Sequence, residues 1–518
     1  MEQCFLVSAG EMKQYDRYTT DCLGIPALVL MERAALATVQ AMREELGDLS
    51  GKRILAVCGG GNNGGDGAAV SRLLLDAGSL VEVCCIAEEE TCSPETKRQL
   101  QILREYGKEI FPIFPAGEYD IIIDALFGVG LSRDVGGVYA EWIEKINRCG
   151  AYVVSVDIPS GIHADSGRTM GCSVNADLTV TYAFMKRGLF LYPGRTHAGK
   201  TVCKDIGITD RSFAGCPPAC FTYTGRGDAS LFPVRTPEGN KGTFGKLLIA
   251  AGSVGMGGAC LLCAESAYRA GAGMVKAVTP QDNRTILQTA LPEALLLTYE
   301  ENNVSSDKIR EAWEWSDGIV AGPGMGMGED ARTILRMLLE EADRSVILDA
   351  DALNLLSAEP ALWELASKRA EVFPDKTLIL TPHQKELARL TGKTIWELKR
   401  EPLKYANELA DKLHCVVVSK DAVTAVCTGK EPFFLNTAGN SGMATAGSGD
   451  VLAGILGGFL VQSQMAGENP VKWVSKGVYL HACAGDRARE RVGESAMLAG
   501  DLIKGLTDLS GKGICGNE

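Results

Sequence analysis

Apolar positions along the chain fall into two alternating rhythms. Short continuous apolar runs recur at intervals, and between them apolar residues repeat at the three- and four-residue spacing of a helix face. Ser8 to Ala37 has the helical spacing, with a turn around Gly24 and Pro26. Ile54–Val57 reads as a strand, Gly59–Gly67 as a glycine loop, and Ala68–Ala77 as the next helix. Further apolar runs stand at Val81–Ile86, Ile121–Ile123, Val153–Val156 and Leu178–Tyr182. Strands alternating with helices predict a parallel sheet covered on both faces. The rhythm lapses from Phe213 to Asp228, a stretch with Gly215 and the pair Pro217 and Pro218, so the boundary is placed there. It resumes at Lys246–Ala250 and continues through Ile319–Ala321, Val346–Leu348, Leu378–Leu380 and Cys415–Val418 to Leu509. The expected organisation is two doubly wound α/β domains, residues 1–214 and 226–510, with a frayed tail from Ser510 to Glu518.

Composition narrows the class. The 518 residues are too many for one ordinary core. Hydrophobic residues at 46% and charged residues at 23% suit a folded, soluble protein. A formal net charge of −13 argues against non-specific nucleic-acid binding, which requires Lys and Arg on phosphates. It leaves nucleotide ligands open, because helix N-termini hold phosphates through backbone N–H groups. The 60 glycines cluster in short loops, as close backbone approach to ligands would demand. Of 17 cysteines only Cys260 and Cys263 have C-x-x-C spacing, and His numbers 5, so the cysteines read as reduced apolar residues rather than a metal site. Met1 to Gly10 lack a basic region followed by a long apolar run, so no signal peptide is expected. The apolar stretch Val451–Val461 is too short to cross a bilayer and is interrupted by Gly454, Gly457 and Gly458, so no membrane association and a cytoplasmic location are expected.

Gly59 to Gly67 follows a strand and opens a helix, where unpaired N–H groups and the helix dipole favour an anion. Its Gly-x-Gly-x-x-Gly lettering matches the dinucleotide fingerprint, yet no acidic residue ends the next strand to hold a ribose, and the Asn-Asn-Gly-Gly-Asp core is foreign to that fingerprint. Asp124 to Asp134 and Asp157 to Gly161 also follow strands, so three carboxylate-bearing loops converge on one crevice at the strand ends. A tight turn without ligand, or Asp residues that merely cap helices, are the plain alternatives. Together with Leu30–Ala34 and Tyr192–Gly199, these motifs resemble the NAD(P)H-hydrate epimerase domain over essentially the whole first block. The resemblance implies a Rossmann-like three-layer α/β/α sandwich. It implies that Asn62, Asn63, Gly64, Gly65 and Asp66, with Gly128, Val129, Gly130, Leu131, Ser132, Arg133 and Asp134, line the hydrated dinucleotide. By the same resemblance Asn63, Asp124 and Ser160 hold K+, and Asp157 contacts the reacting ring. Lys186 stands at the family's lysine position and joins Asp157 as a catalytic candidate, although the usual preceding proline is replaced by Met185.

In the second block, Asn440 to Asp450 brings Gly447 and Gly449 to a helix start with Asp450 in its first turn. An anion-holding loop beside a carboxylate base is what phosphoryl transfer to a hydroxyl needs. A glycine-rich turn capped by Asp is the bland alternative. The loop resembles the ribokinase-like superfamily. Ala250–Ala259, Ala321–Gly326, Leu348–Asn354, Leu380–Glu386 and Ser419–Thr424 resemble its NAD(P)H-hydrate dehydratase branch, from about Gly242 to Leu502. That resemblance implies a ribokinase-like α/β/α domain in which Gly324, His383 and Asp450 contact the hydrated substrate. Lys420, Asp421, Ala422, Val423, Thr424 and Gly449 would contact ADP or ATP, with Mg2+ on its phosphates. Asp349 and Asp351 are read as partly structural.

The function implied is epimerisation of (6R)- and (6S)-NAD(P)HX and nucleotide-dependent dehydration of (6S)-NAD(P)HX to NAD(P)H. NADHX, NADPHX and ADP or ATP are the expected partners, with a homo-oligomeric assembly. Three other readings stay open on residues alone. A small-molecule kinase of the ribokinase-like superfamily with an accessory N-terminal domain would release a stable phosphorylated product. A nucleotide sensor would bind without turnover. A dehydrogenase would interconvert NAD and NADH with a hydroxy acid.

Overall fold

The computed structural model describes residues 2–225, 227–429 and 433–511. The chain divides into two compact units, one spanning Phe5–Cys220 and the other built from Phe221 onward with the first residues. In the first unit, seven parallel strands lie in the spatial order Ile110–Phe111, Leu80–Cys85, Arg53–Cys58, Ile121–Ala125, Tyr152–Val156, Leu178–Tyr182 and Lys200–Lys204. The inner strands are covered on both faces, so even their polar residues Asp124, Ser155, Thr179 and Thr181 are fully buried. Ile54, Ala56, Cys58, Ile123 and Val154 pack into one core. Leu55, Val57, Ile122 and Val153 pack into another with Trp142 and Ile146 of the helix Val138–Arg148. Two-fold alternation thus survives as a division between cores rather than between core and water.

The helix Ala9–Asp21 is started by Ser8, whose Oγ accepts from Glu11 N at 3.2 Å while Glu11 Oε2 accepts from Ser8 N at 2.7 Å. The expected turn at Gly24 and Pro26 separates it from Ala27–Leu46. The helix after the first glycine loop departs from expectation. It runs Asn62–Asp76, so the Asn-Asn-Gly-Gly-Asp segment is its first turns and not a loop. Glycine inside a helix costs roughly 1 kcal/mol relative to alanine, which is why propensity argued for a loop. Packing overrides it. A Cβ on Gly64 would stand 1.9 Å from the Gly59 carbonyl oxygen, and one on Gly67 2.5 Å from Ala125 Cβ. The helix can seat against the strand ends only without those side chains.

In the second unit the parallel strands lie in the order Leu295–Tyr299, Met274–Pro280, Lys246–Ala250, Gly318–Ala321, Ser345–Leu348, Leu378–Leu380 and Val416–Ser419. Antiparallel Ala425–Cys427 and Phe433–Leu435 continue the sheet. The stretch expected to be a boundary holds a strand, Cys220–Thr224. Its ring at Tyr223 packs with centroids 5.1 Å from Phe434, tilted, and 5.5 Å from Tyr479, edge-on. Gly and Pro hid an element whose aromatic residues belong to the second core. The helix Ser448–Ala466 carries Asp450 in its first turn, where the sequence put it, and is buried almost all round. A Cβ on its Gly454 would lie 2.1 Å from the Cys263 carbonyl oxygen of the helix Gly257–Arg269. The glycines that interrupt this apolar stretch therefore allow close packing. Among the described residues no helix is long and apolar enough to cross a membrane. Most of the tail expected to fray, from Lys512, lies outside the described residues.

Candidate active sites

A cavity of about 830 Å³ opens in the first unit where the strands end. Gly60 to Asn63 enter it after Arg53–Cys58, Leu126 to Arg133 after Ile121–Ala125, and Asp157 after Tyr152–Val156. Of the residues singled out in sequence, Asn62, Asn63, Asp66, Gly128, Val129, Gly130, Leu131, Ser132, Arg133, Asp157 and Lys186 line this space. Gly64 and Gly65 do not. They are buried within the helix Asn62–Asp76, Gly64 against Gly59 and Gly65 against Met31 and Thr96. Asp134 is exposed, just past the lining loop.

Asp157 sits at φ 67°, a left-handed backbone that non-glycine residues rarely adopt. Its Oδ1 accepts from Lys186 Nζ at 2.5 Å and from Thr181 Oγ1 at 3.3 Å. Lys186 is buried, 1% exposed, and also donates to Thr181 Oγ1 at 2.8 Å and to the Tyr182 carbonyl at 2.9 Å. Burial, followed by the charges of Asp157 and Asp16, pushes the Asp66 carboxyl well above the usual carboxylate range, against the pull of Lys186. Burial, then Glu95 and Asp157, raises Asp16 as well. The acid-rich wall thus disfavours the charged forms of Asp66 and Asp16 beside the Asp157–Lys186 ion pair. Asp16, Lys13, Glu95 and Thr181 escaped the sequence reading. Asp16 lies one helical turn beyond Met12, in an element read only for its apolar face.

Asp124 is fully buried, and four protein groups donate to it. Oδ1 accepts from Ser160 Oγ at 2.5 Å and Leu126 N at 3.4 Å. Oδ2 accepts from Ser155 Oγ at 2.7 Å and Ser160 N at 2.8 Å. Burial still raises its pKa despite these bonds. Ser160 Oγ accepts from Phe127 N at 2.9 Å, and the next residue, Gly128, abuts Asn63, whose Oδ1 would be 3.2 Å from a Cβ there. Asn63 Nδ2 is buried without a partner. Asn63, in the cavity lining, thereby lies next to the Phe127–Gly128 turn that Ser160 and Asp124 anchor.

In the second unit, Gly447 takes φ 88° to turn the chain into the helix Ser448–Ala466, which sets Asp450 in the first turn. Asp450 is pushed up to about 6, chiefly by burial and then by Asp349, with Asp351 adding and Lys420 opposing. Lys420, half-buried at the end of Val416–Ser419, donates from Nζ to Asp349 Oδ1 at 2.6 Å. Thr381 Oγ1 donates to the same oxygen at 2.6 Å. Gly449 lies over this pair, since a Cβ there would be 3.5 Å from Lys420 Nζ. Asp421 and Ala422 are exposed, Val423 is buried, and the Thr424 carbonyl accepts from Asn436 N at 2.8 Å. Gly324 takes φ 57°, with space for a Cβ closed by Ala259 and Met256.

His383 caps the helix Gln384–Thr391, its Nδ1 accepting from Lys385 N at 3.1 Å and Glu386 N at 3.3 Å. Those bonds assign the proton to Nε2, and burial followed by Lys420 lowers its pKa. Lys420 N donates to the Pro382 carbonyl at 2.8 Å, so His383 and Lys420 sit side by side. Asp349 turns out to be the centre of the buried polar network, which its ordinary strand-end position did not announce. His481, from the helix Pro470–Val492, lies 3.1 Å from the Ser448 carbonyl at the base of the anion loop.

Comparison with known proteins adds a separate observation. Residues 247–508 match the NAD(P)H-hydrate dehydratase family, and residues 27–188 match the YjeF-related protein N-terminus family. The chain is 34% identical over 516 residues to the bifunctional NAD(P)H-hydrate repair enzyme Nnr of Moorella thermoacetica, covering 96% of this chain and 95% of that protein. It is 34% identical to the protein of the same name from Escherichia coli strain K12, covering 96% and 92%. Among solved structures, the ADP/ATP-dependent NAD(P)H-hydrate dehydratase of Bacillus subtilis, co-crystallised with ATP/Mg2+, is 30% identical, with 54% of this chain and 94% of that chain covered and a TM-score of 0.45.

Proposed function

This chain belongs to the family of bifunctional NAD(P)H-hydrate repair enzymes, and from that premise we propose how its two units divide the repair. The first interconverts the 6R and 6S epimers of NADHX and NADPHX. The second converts the 6S epimer to NADH or NADPH at the expense of ADP or ATP, releasing AMP or ADP and phosphate. The observation that carries this division is one carboxylate per unit, Asp157 in the wall of a cavity of about 830 Å³ and Asp450 in the first turn of a glycine-started helix. The small-molecule kinase with an accessory domain is set aside, because the repair-enzyme relatives align with the first unit as well as the second.

In the hydrated ring the hydroxyl sits on the carbon beside the ring nitrogen. The nitrogen lone pair expels it as water once a proton arrives, and the flat iminium ion accepts water on either face. Asp157 moves the proton and faces the cation with negative charge. Lys186 holds the Asp157 carboxylate in place through the 2.5 Å contact. Asn62, Asn63 and the Gly128 to Arg133 loop supply the helix start and backbone that grip the dinucleotide phosphates.

The K+ that the family resemblance implies fits its residues. Asn63, Asp124 and Ser160 offer hard oxygen donors, and the buried Asp124 has no ion-pair partner among the described residues. A bound K+ would supply that missing countercharge.

In the second unit, Asp450 takes the proton of the substrate hydroxyl as that oxygen attacks the terminal phosphate of the nucleotide. The resulting phosphate ester departs as phosphate, and loss of a ring proton restores the double bond. Hydroxide would be a far poorer leaving group. Gly447 to Gly449 hold the transferring group, while Lys420 to Thr424 hold the nucleotide and Gly324 and His383 the substrate. Among the described residues no three acidic, His or Cys side chains converge as a metal cage. Mg2+ binds through one or two carboxylates together with substrate phosphates, and it would neutralise charge on those phosphates.

The test mixes both NADHX epimers with the protein and ADP or ATP and follows the absorbance of reduced nicotinamide. Complete recovery, faster than spontaneous epimerisation, is expected. Recovery that stops at the 6S fraction removes the first activity, and no recovery removes the second.

A further inference from the structure

Thr181 sits beneath the Asp157–Lys186 pair in the strand Leu178–Tyr182 and is fully buried. Its neighbours Leu178, Val180 and Tyr182 point into the apolar core between sheet and helices. Thr181, one position out of phase, points to the other side. There its hydroxyl donates to Asp157 Oδ1 at 3.3 Å and accepts from Lys186 Nζ at 2.8 Å. Valine has nearly the same shape and a higher affinity for an apolar interior, so filling space does not require this hydroxyl.

Lys186 has three N–H donors, and each has a protein acceptor: Asp157 Oδ1, Thr181 Oγ1 and the Tyr182 carbonyl. Its ammonium can reach substrate only by giving up one of these bonds. Both bonds to Asp157 fall on Oδ1. Oδ2 has no donor among the described residues, and Asp157 lines the cavity. One carboxylate oxygen is anchored and the other is left for proton transfer. The anchor must be stiff, because Asp157 occupies a left-handed backbone at φ 67°.

We infer that Thr181 is a positioning residue for epimerisation, fixing the Lys186 ammonium and through it the Asp157 carboxylate at the reacting ring. The inference rests on the epimerase reading of the first unit. Thr181→Val is expected to lower kcat for epimerisation roughly 10- to 100-fold, the scale of a small misplacement of a reacting group. KM should stay within about twofold, since Thr181 does not line the cavity, and Thr181→Ser should recover most of kcat. Thermal unfolding of both variants, and dehydration of separately prepared 6S epimer, report on the integrity of each sample. Unchanged kcat in Thr181→Val would overturn the inference. So would equal losses in the Val and Ser variants, or a loss that tracks a lowered unfolding midpoint. A wild-type chain without epimerase activity would be a different result, overturning the reading on which the inference stands.

Discussion

At the scale of single residues, Asp450 has opposite consequences for activity and for stability. Its carboxyl is held at about 6, first by burial and then by Asp349 and Asp351, with Lys420 pulling the other way. As a base it must be ionised, so kcat/KM for dehydration, which reports the free enzyme, should rise with pH through about 6 and fall about tenfold per unit below it. A profile flat across that range would remove Asp450 from the proton transfer. For stability the sign is reversed. The folded chain holds this proton more tightly than the unfolded chain, whose carboxyl titrates near 3.8. The stabilising contribution is therefore complete below that value and is lost as pH rises to about 6. At neutral pH the ionised carboxylate costs up to about 3 kcal/mol on this shift. Asp450→Asn should abolish dehydration and yet raise the unfolding midpoint of the second unit at pH 7, as measured by calorimetry. A lowered midpoint would mean that the carboxylate contributes native contacts worth more than its desolvation.

At the scale of elements, the two sites depend on how helices meet strand ends. The helix Asn62–Asp76 approaches the sheet through Gly64, where a Cβ would collide with the Gly59 carbonyl at 1.9 Å. Because that atom is backbone, relief requires moving the helix start. Gly64→Ala should destabilise the first unit by about 1–3 kcal/mol and weaken substrate binding by displacing Asn62 and Asn63. Denaturant unfolding and KM measure the two effects, and retention of both would show that the helix start tolerates displacement. In the second unit, the helix Pro470–Val492 supports the anion loop through His481, whose neutral ring donates to the Ser448 carbonyl. Burial lowers His481 from 6.5 to about 4. The unfolded chain binds a proton here that the folded chain refuses. Stability should thus fall as pH drops from 6.5 to about 4, by roughly 3 kcal/mol in all. His481→Gln, which keeps a donor without titrating, should flatten that part of the stability profile. An unaltered profile would assign acid sensitivity to other groups.

For the whole molecule, two sheets with separate cores carry two separate chemistries. With a mixture of epimers and ADP or ATP, Asp157→Asn should recover the 6S fraction promptly and the remainder at the spontaneous rate. Asp450→Asn should recover none, while the epimer ratio still relaxes at the wild-type rate. Because the shared substrate diffuses, mixing the two variants should restore complete recovery. Failure of the mixture to do so would show that the activities need one intact chain.

Much of this molecule is written in local pattern. Apolar runs such as Ile121–Ile123 and Val346–Leu348 mark buried parallel strands, because a strand covered on both faces needs no alternation of apolar and polar residues. Glycine clusters before helical spacing mark where an anion can approach, and Asp450 stands at one of them, while Asp157 follows the end of a strand. Local pattern failed where a distant surface imposed the conformation. Asn62–Gly67 is helical because Gly59 and Ala125 lie against it, and Cys220–Thr224 is a strand because Phe434 and Tyr479 receive Tyr223. The partners of the charged groups were likewise out of reach. Asp349 meets Lys420 across 71 positions of chain and Asp157 meets Lys186 across 29, and nothing in either neighbourhood spells out the pairing. Residue type and spacing decided which chemical groups were present at each strand end. Folding decided which of them are buried together, and burial sets how strongly charges act on one another and therefore which carboxyl carries a proton.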